Sequence, residues 1–319
     1  MKSIFATAGA VACLALSAGV GSAQDMVVGF SQIGSESGWR AAETTVTQQQ
    51  AAERGIDLKF ADAQQKQENQ IKAVRGFIAQ GVDAILIAPV VETGWDSVLE
   101  EAKDAEIPVV LLDRSIKAPE DLYLTAVTSD QVHEGRVAGD WLVQDVGAAD
   151  CNVVELQGTT GSSPAINRKQ GFEEALAGHD NIRITRSQTG DFTRAKGKEV
   201  MESFLKAEGG DNICALYAHN DDMAVGAIQA IKEAGLTPGT DIKVVSIDAV
   251  PDIFLAMAAG EANATVELTP NMAGPAFDAI AAYLADGAEP EKWIQTESKL
   301  FTQSDDPQAV YEQKKDLGY

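Results

Sequence analysis

The chain has 319 residues, 45% hydrophobic, 6% aromatic and 23% charged, with 48 acidic against 25 basic side chains. That length and apolar content suffice for a large core and suggest about two domains. The acidic excess is spread along the chain rather than gathered in a tail, which disfavours nucleic acid and anionic membranes as partners.

Residues 1–23 have the order of a secretory signal peptide: Lys2, an apolar run from Ile4 to Val20, then Gly21-Ser22-Ala23 as a small-residue cleavage site before Gln24. The apolar part is short of the ~20 residues a membrane span needs. A lipoprotein anchor at Cys13 is the rival reading; Ala10, where a larger aliphatic residue is usual, weighs against it. Cleavage after Ala23 leaves 24 basic against 48 acidic residues and implies an exported mature protein. Cys151 and Cys214 then remain, an even pair in an oxidising compartment, and a disulfide is expected.

Strand-like runs alternate with amphipathic segments along the chain. The expected strands are Met26–Ser31, Leu58–Ala61, Ala84–Ala88, Val109–Leu112, Tyr123–Val127, Asn152–Leu156, Ile182–Ser187, Ile213–Ala218, Lys243–Ile247 and Ala264–Leu268. Between the second and third, Ile71, Val74, Phe77 and Ile78 share one helical face and Gly81 stops the helix. The helix DMAVGAIQAIKEAG is expected to start on Asp221 and Asp222, acids suited to its amino-terminal dipole. Strand–helix alternation predicts an α/β fold of doubly wound parallel sheets; one series runs from Met26 to about Val127 and a second opens near Cys151, so two similar lobes are expected. In a sheet of order 2-1-3-4-5 the strands bearing Cys151 and Cys214 are neighbours, and the bridge lies at the amino-terminal edge, away from any ligand.

In open α/β sheets, ligand-contacting groups gather at the carboxyl ends of strands. There the chain places Glu36, Ser37, Gly38, Trp39 and Arg40 after the first strand, Asp113 and Arg114 after the fourth, and Asn220 and Asp248 after two later ones. Arg168, in SPAINRKQGFEEAL, and Phe192 complete the candidates. Phosphate-loop, dinucleotide, nucleophile-elbow and HExxH signatures are absent; GSESG at 34–38 has Glu36 where an elbow needs serine. His133, His179 and His219 lack partners at metal-ligand spacing, and no cofactor or metal is expected. Carboxylates accept hydrogen bonds and guanidiniums donate them, whereas a sugar hydroxyl does both. Aromatic faces suit the C–H faces of a sugar ring. Three carboxylates (Glu36, Asp113, Asp248) against three guanidiniums (Arg40, Arg114, Arg168) favour a neutral ligand. Each residue also has a structural reading: a turn ion pair for Asp113–Arg114, core aromatics for Trp39 and Phe192, a solvated helix residue for Arg168.

GFSQIGSESGWRAAE, IPVVLLDRSI, VVELQGTTGSSPAINRKQGF, AHNDDMAVGAIQAIKEAG, SIDAVPD and ATVELTPNMAG resemble the type I periplasmic sugar-binding proteins of ABC importers, in particular members that take galactofuranose. The resemblance spans the whole mature chain. It implies lobes of 24–128 plus 269–295 and 129–268 plus 296–319, joined by a three-segment hinge, with sugar in the cleft between them. It carries Glu36, Trp39, Arg40, Asp113, Arg114, Arg168, Asn220 and Asp248 over as ligand contacts, with Phe192 of GDFTR as a stacking ring. Gly38-Trp39-Arg40, in place of paired phenylalanines, and Leu268, in place of a glutamine, set the chain apart from ribose binders and suit a furanose with an exocyclic diol. The expected protein is a monomeric, non-enzymatic receptor delivering monosaccharide to a permease with separate ATPase subunits. Galactose, arabinose or ribose as ligand, or a sugar-acting enzyme on the same fold, are the alternatives; a repressor core is disfavoured by charge. Engagement of a chemotaxis receptor is left open.

Overall fold

A computed structural model describes residues 26–315. The signal-peptide reading of residues 1–23, including Cys13, lies outside them. In chain order the first part comprises β1 (Val27–Gln32), α1 (Gly38–Glu53), β2 (Asp57–Asp62), α2 (Gln67–Gln80), β3 (Ala84–Ile87), α3 (Asp96–Asp104), β4 (Val109–Leu112) and β5 (Thr125–Ser129). The second comprises α4 (Gln131–Val146), β6 (Cys151–Gln157), α5 (Ser163–Leu176), β7 (Ile182–Thr189), α6 (Arg194–Glu208), β8 (Ala215–Ala218), α7 (Asp221–Glu233), β9 (Lys243–Asp248), α8 (Pro251–Ala258) and β10 (Ala264–Glu267). The remainder is α9 (Ala273–Asp286), β11 (Trp293–Thr296), β12 (Leu300–Thr302) and α10 (Pro307–Lys314).

Two six-stranded sheets result, ordered β11-β5-β4-β3-β1-β2 and β12-β10-β9-β8-β6-β7. Neighbouring strands are parallel throughout the first; in the second, β12 alone runs antiparallel, against β10. The chain passes from one sheet to the other between β5 and α4, returns between β10 and α9, and passes again between β11 and β12. Alternate residues of the central strands feed opposite cores, as the strand period of two requires. Leu86, Val110 and Leu112 pack on one face of the first sheet, and Ile85, Ile87, Val109 and Leu111 on the other. Val154, Leu216 and Val244 divide from Val153, Tyr217 and Val245 in the same way in the second.

The helix after β2 stops where the sequence places its stop: Gly81 adopts the left-handed conformation (φ 65°) and its N–H bonds the carbonyls of Ile78 and Phe77. Cys151 and Cys214 are bridged, on neighbouring strands β6 and β8 at their amino-terminal ends. Several expectations need correction, among them the start of the eighth strand at Ala215 rather than Ile213 and the end of the seventh at Thr189 rather than Ser187. The fifth strand begins at Thr125 rather than Tyr123 and runs on to Ser129. Two strands were not foreseen, β11 and β12, short edge strands without a buried apolar run. Capping of α7 falls to Asn220, whose Oδ1 accepts from Met223 N at 3.0 Å. Asp221 instead accepts from Ser246 Oγ, Thr265 Oγ1 and Val250 N, tying α7 to β9 and β10.

Candidate functional site

The site is assembled on turns at the carboxyl ends of the strands. After β1, Ser37 caps α1 by accepting from Arg40 N at 3.1 Å. This fixes the first turn so that Trp39 and Arg40 point inward, 2% and 3% exposed. The indole Nε1 donates to Leu268 O at 2.7 Å, and the Arg40 guanidinium lies 4.9 Å from the Trp39 ring centroid. Arg40 meets three carboxylates: Nε donates to Glu36 Oε1 at 3.2 Å, Nη1 to Glu43 and Nη2 to Asp113. Burial opposes its charge, but Glu43, Asp113 and Glu36 more than compensate and hold it protonated.

Asp113 follows β4 with φ 62°, a conformation that costs a non-glycine residue of order 1 kcal/mol or more. The turn is held because Thr128 Oγ1 and Gln131 Nε2 both donate to Asp113 O. Arg114 is buried beside it; Nη1 donates to Val90 O at 3.0 Å and its guanidinium lies 5.2 Å from the Phe192 centroid. Burial and the nearby Arg40 charge depress the Arg114 pKa to about 10, leaving the side chain cationic at neutral pH.

From the second sheet, α5 delivers Arg168. Gly135 and Gly171 let α4 and α5 approach closely; a Cβ on Gly135 would lie 2.1 Å from Arg168 O, and one on Gly171 1.9 Å from Val132 O. Arg168 Nε donates to Glu134 Oε2 at 2.9 Å and Nη1 to His219 O at 2.6 Å, while Nη2 stands 3.5 Å from Asp248 Oδ1. Asp248 (φ 120°) and Phe192 (φ 61°) also have left-handed backbone. Asn220 lines the site and donates from Nδ2 to Phe192 O at 3.1 Å, so it positions the ring as well as capping α7.

These side chains surround one cavity, lined by Glu36, Ser37, Trp39, Arg40, Asp113, Arg114, Pro164, Arg168, Phe192, Asn220, Asp248 and Leu268. The free space between them is only about 20 Å³, little more than the ~10–15 Å³ that holds one water, so the side chains have drawn together over the site. Every candidate ligand residue read from the sequence lines it except Gly38, whose N–H donates instead to Asp222 Oδ2 at 2.8 Å. Pro164 was not anticipated, and Leu268 was noted only as a departure from ribose binders. Glu36 Oε2, Arg114 Nε and Arg168 Nη2 are buried without a hydrogen-bond partner among the described residues. Buried polar atoms are normally satisfied, so these donors and an acceptor around one void are polar groups left free for a ligand to pair.

The sequence balance of three acids to three guanidiniums is incomplete. Glu43 and Glu134, both fully buried, stand behind Arg40 and Arg168 and raise the acids to five. Burial pushes Glu43 and Asp248 toward the protonated form, against the pull of Arg40 and Arg168 respectively. His219 is no metal ligand here: it is buried with Nε2 at 3.0 Å from Glu155 Oε1 and Nδ1 accepting from Gly158 N. Among the described residues no group of three or more His, Cys, Asp or Glu is placed to hold a metal ion.

Comparisons with known proteins agree with this architecture. Residues 28–289 match the periplasmic binding protein domain family, and the chain belongs to it. It is 66% identical to the galactofuranose-binding protein YtfQ of Escherichia coli (strain K12), over 93% of this chain and 94% of that one. A crystal structure of a galactofuranose binding protein superposes with a TM-score of 0.91 at 66% identity, covering 92% of this chain and all of the other. The periplasmic binding component of the arabinose ABC transporter from Shewanella sp. ANA-3, bound to α- and β-L-arabinofuranose, gives a TM-score of 0.89 at 59% identity, covering 91% and 96%.

Proposed function

We propose that this protein is a periplasmic solute receptor that captures one neutral furanose, galactofuranose above all, between its lobes and hands it to the permease of an ABC importer. The observation that carries the reading is the set of unpaired buried polar atoms from both sheets around one cavity, flanked by Trp39 and Phe192. Glu36, Asp113 and Asp248 accept from or share protons with sugar hydroxyls, while Arg40, Arg114 and Arg168 donate; the two rings cover C–H faces. Kinship with a protein named for galactofuranose and with one seen bound to L-arabinofuranose supports a five-membered ring.

The lobes are 24–128 plus 269–295 and 129–268 plus 296–319, and sugar favours the closed arrangement by the contacts it makes only there. The receptor acts as a monomer, after removal of residues 1–23, and leaves its ligand chemically unchanged. Calorimetric titration with galactofuranose, against galactopyranose, arabinose, ribose and glucose, tests this. Binding of galactofuranose with recovery of intact sugar is expected. Failure of every furanose to bind would overturn the ligand assignment, and turnover on prolonged incubation would overturn the receptor reading.

A further inference from the structure

Asp222 is 5% exposed, paired with Arg194 and absent from the cavity lining, yet it joins the two halves of the molecule. Its Oδ2 accepts from Gly38 N at 2.8 Å, across the cleft, at the first residue of α1. Its Oδ1 accepts from Arg194 Nη2 at 2.9 Å and Nε at 3.2 Å, and Arg194 Nη2 also reaches Asp252 Oδ2 at 2.8 Å. The carboxylate is thereby aimed at α1 by groups of its own lobe. A helix of 16 residues presents unpaired N–H groups and a partial positive charge at its start, so an anion there is favoured. The far rim carries two inter-lobe bonds of neutral groups, Ser115 N to Ser163 Oγ and Glu92 N to Gly161 O, each 3.0 Å.

We propose that Asp222 is an affinity-determining residue that never touches the ligand: its bond to Gly38 N is a charged latch made only when the lobes shut. The inference rests on the receptor reading above. On opening, both Gly38 N–H and the carboxylate return to water, so the latch favours only the closed form and acts on release of sugar rather than on capture. Gly38 belongs to the sugar-reading loop by sequence, but its part is closure.

Asp222→Ala is expected to weaken sugar binding about 10- to 100-fold, the range for a hydrogen bond to a charged group. The change should appear in the dissociation rate, with the association rate within about twofold of the parent. Asp222→Asn, which keeps an acceptor but loses charge, should fall between. Unchanged dissociation, or a loss carried by association together with a lowered melting temperature of the unliganded protein, would overturn the latch and leave Asp222 a support of α7. A parent protein that binds furanose while the variants match it defeats only this inference. If the parent itself binds no sugar, the receptor reading fails and this inference falls with it.

Discussion

Glu36→Gln isolates the hydrogen-bonding role assigned to the cavity. Glu36 Oε1 is engaged by Arg40 Nε, whereas Oε2 is buried and unpaired among the described residues. Glutamine keeps the shape and removes the charge. A hydrogen bond to an ionised group contributes ~1.5–3 kcal/mol and a neutral one ~0.5–1.5. The difference of about 1–1.5 kcal/mol corresponds to roughly tenfold weaker sugar binding. Folding should suffer less, since Arg40 retains Glu43 and Asp113; a loss of about 1 kcal/mol would lower Tm by only ~2 °C in a protein of this size. Calorimetry at pH 7, paired with melting of the unliganded variant, measures both effects. An affinity within twofold of the parent would show that Oε2 meets no ligand hydroxyl, whatever Tm does.

Removing the Cys151–Cys214 bridge by double substitution with serine should destabilise the second lobe while leaving sugar affinity unchanged, because the bridge joins strands at the end opposite the cavity. Its cysteines are 63 residues apart, for which chain entropy sets a ceiling of about 4 kcal/mol, read by denaturant unfolding. Gly158→Ala would place a Cβ 1.9 Å from Phe192 Cζ, so the ring must move at ~1–3 kcal/mol of packing cost. Calorimetry should show several-fold weaker binding, and undiminished affinity would remove Phe192 as the stacking ring. Burial opposes ionisation of Glu155, but hydrogen bonds from His219 and Ser187 and the charge of Lys169 prevail and lower its pKa to about 2 from an ordinary 4.5. The unfolded chain therefore binds the extra proton, and stability from this group is present above about pH 4.5 and lost as pH falls through about 2, with a ceiling of ~3 kcal/mol. Glu155→Gln should flatten that acid limb in unfolding experiments; an unchanged slope would refute the pairing.

The βα alternation and the strand-end clusters were legible because central strands are continuous apolar runs that break abruptly into polar residues. Val109–Leu112 followed by Asp113-Arg114 is the clearest case, and its boundaries agree with the structure residue for residue. β11 was not legible: WIQT alternates between exposed and half-buried positions and is joined to β5 only by a return of the chain. Glu43 and Glu134 were hidden for another reason. Each sits within a helix, where an acid reads as a solvated face, and only packing of α1 against Gln32 and of α4 against α5 removes it from water. Asp222 was read as a helix-start acid because sequence spacing carries no sign of what faces a helix end from another lobe.

The left-handed backbone at Asp113, Phe192 and Asp248 restricts how this receptor could acquire a different sugar. β-Branched replacements are sterically barred there, and asparagine or glycine is the natural exchange for an aspartate. Those positions can alter charge but hardly reach or shape. New specificity must come through neighbours with ordinary backbone, such as Glu36, Pro164 and Leu268, while the two aspartates persist as the fixed frame around which they vary.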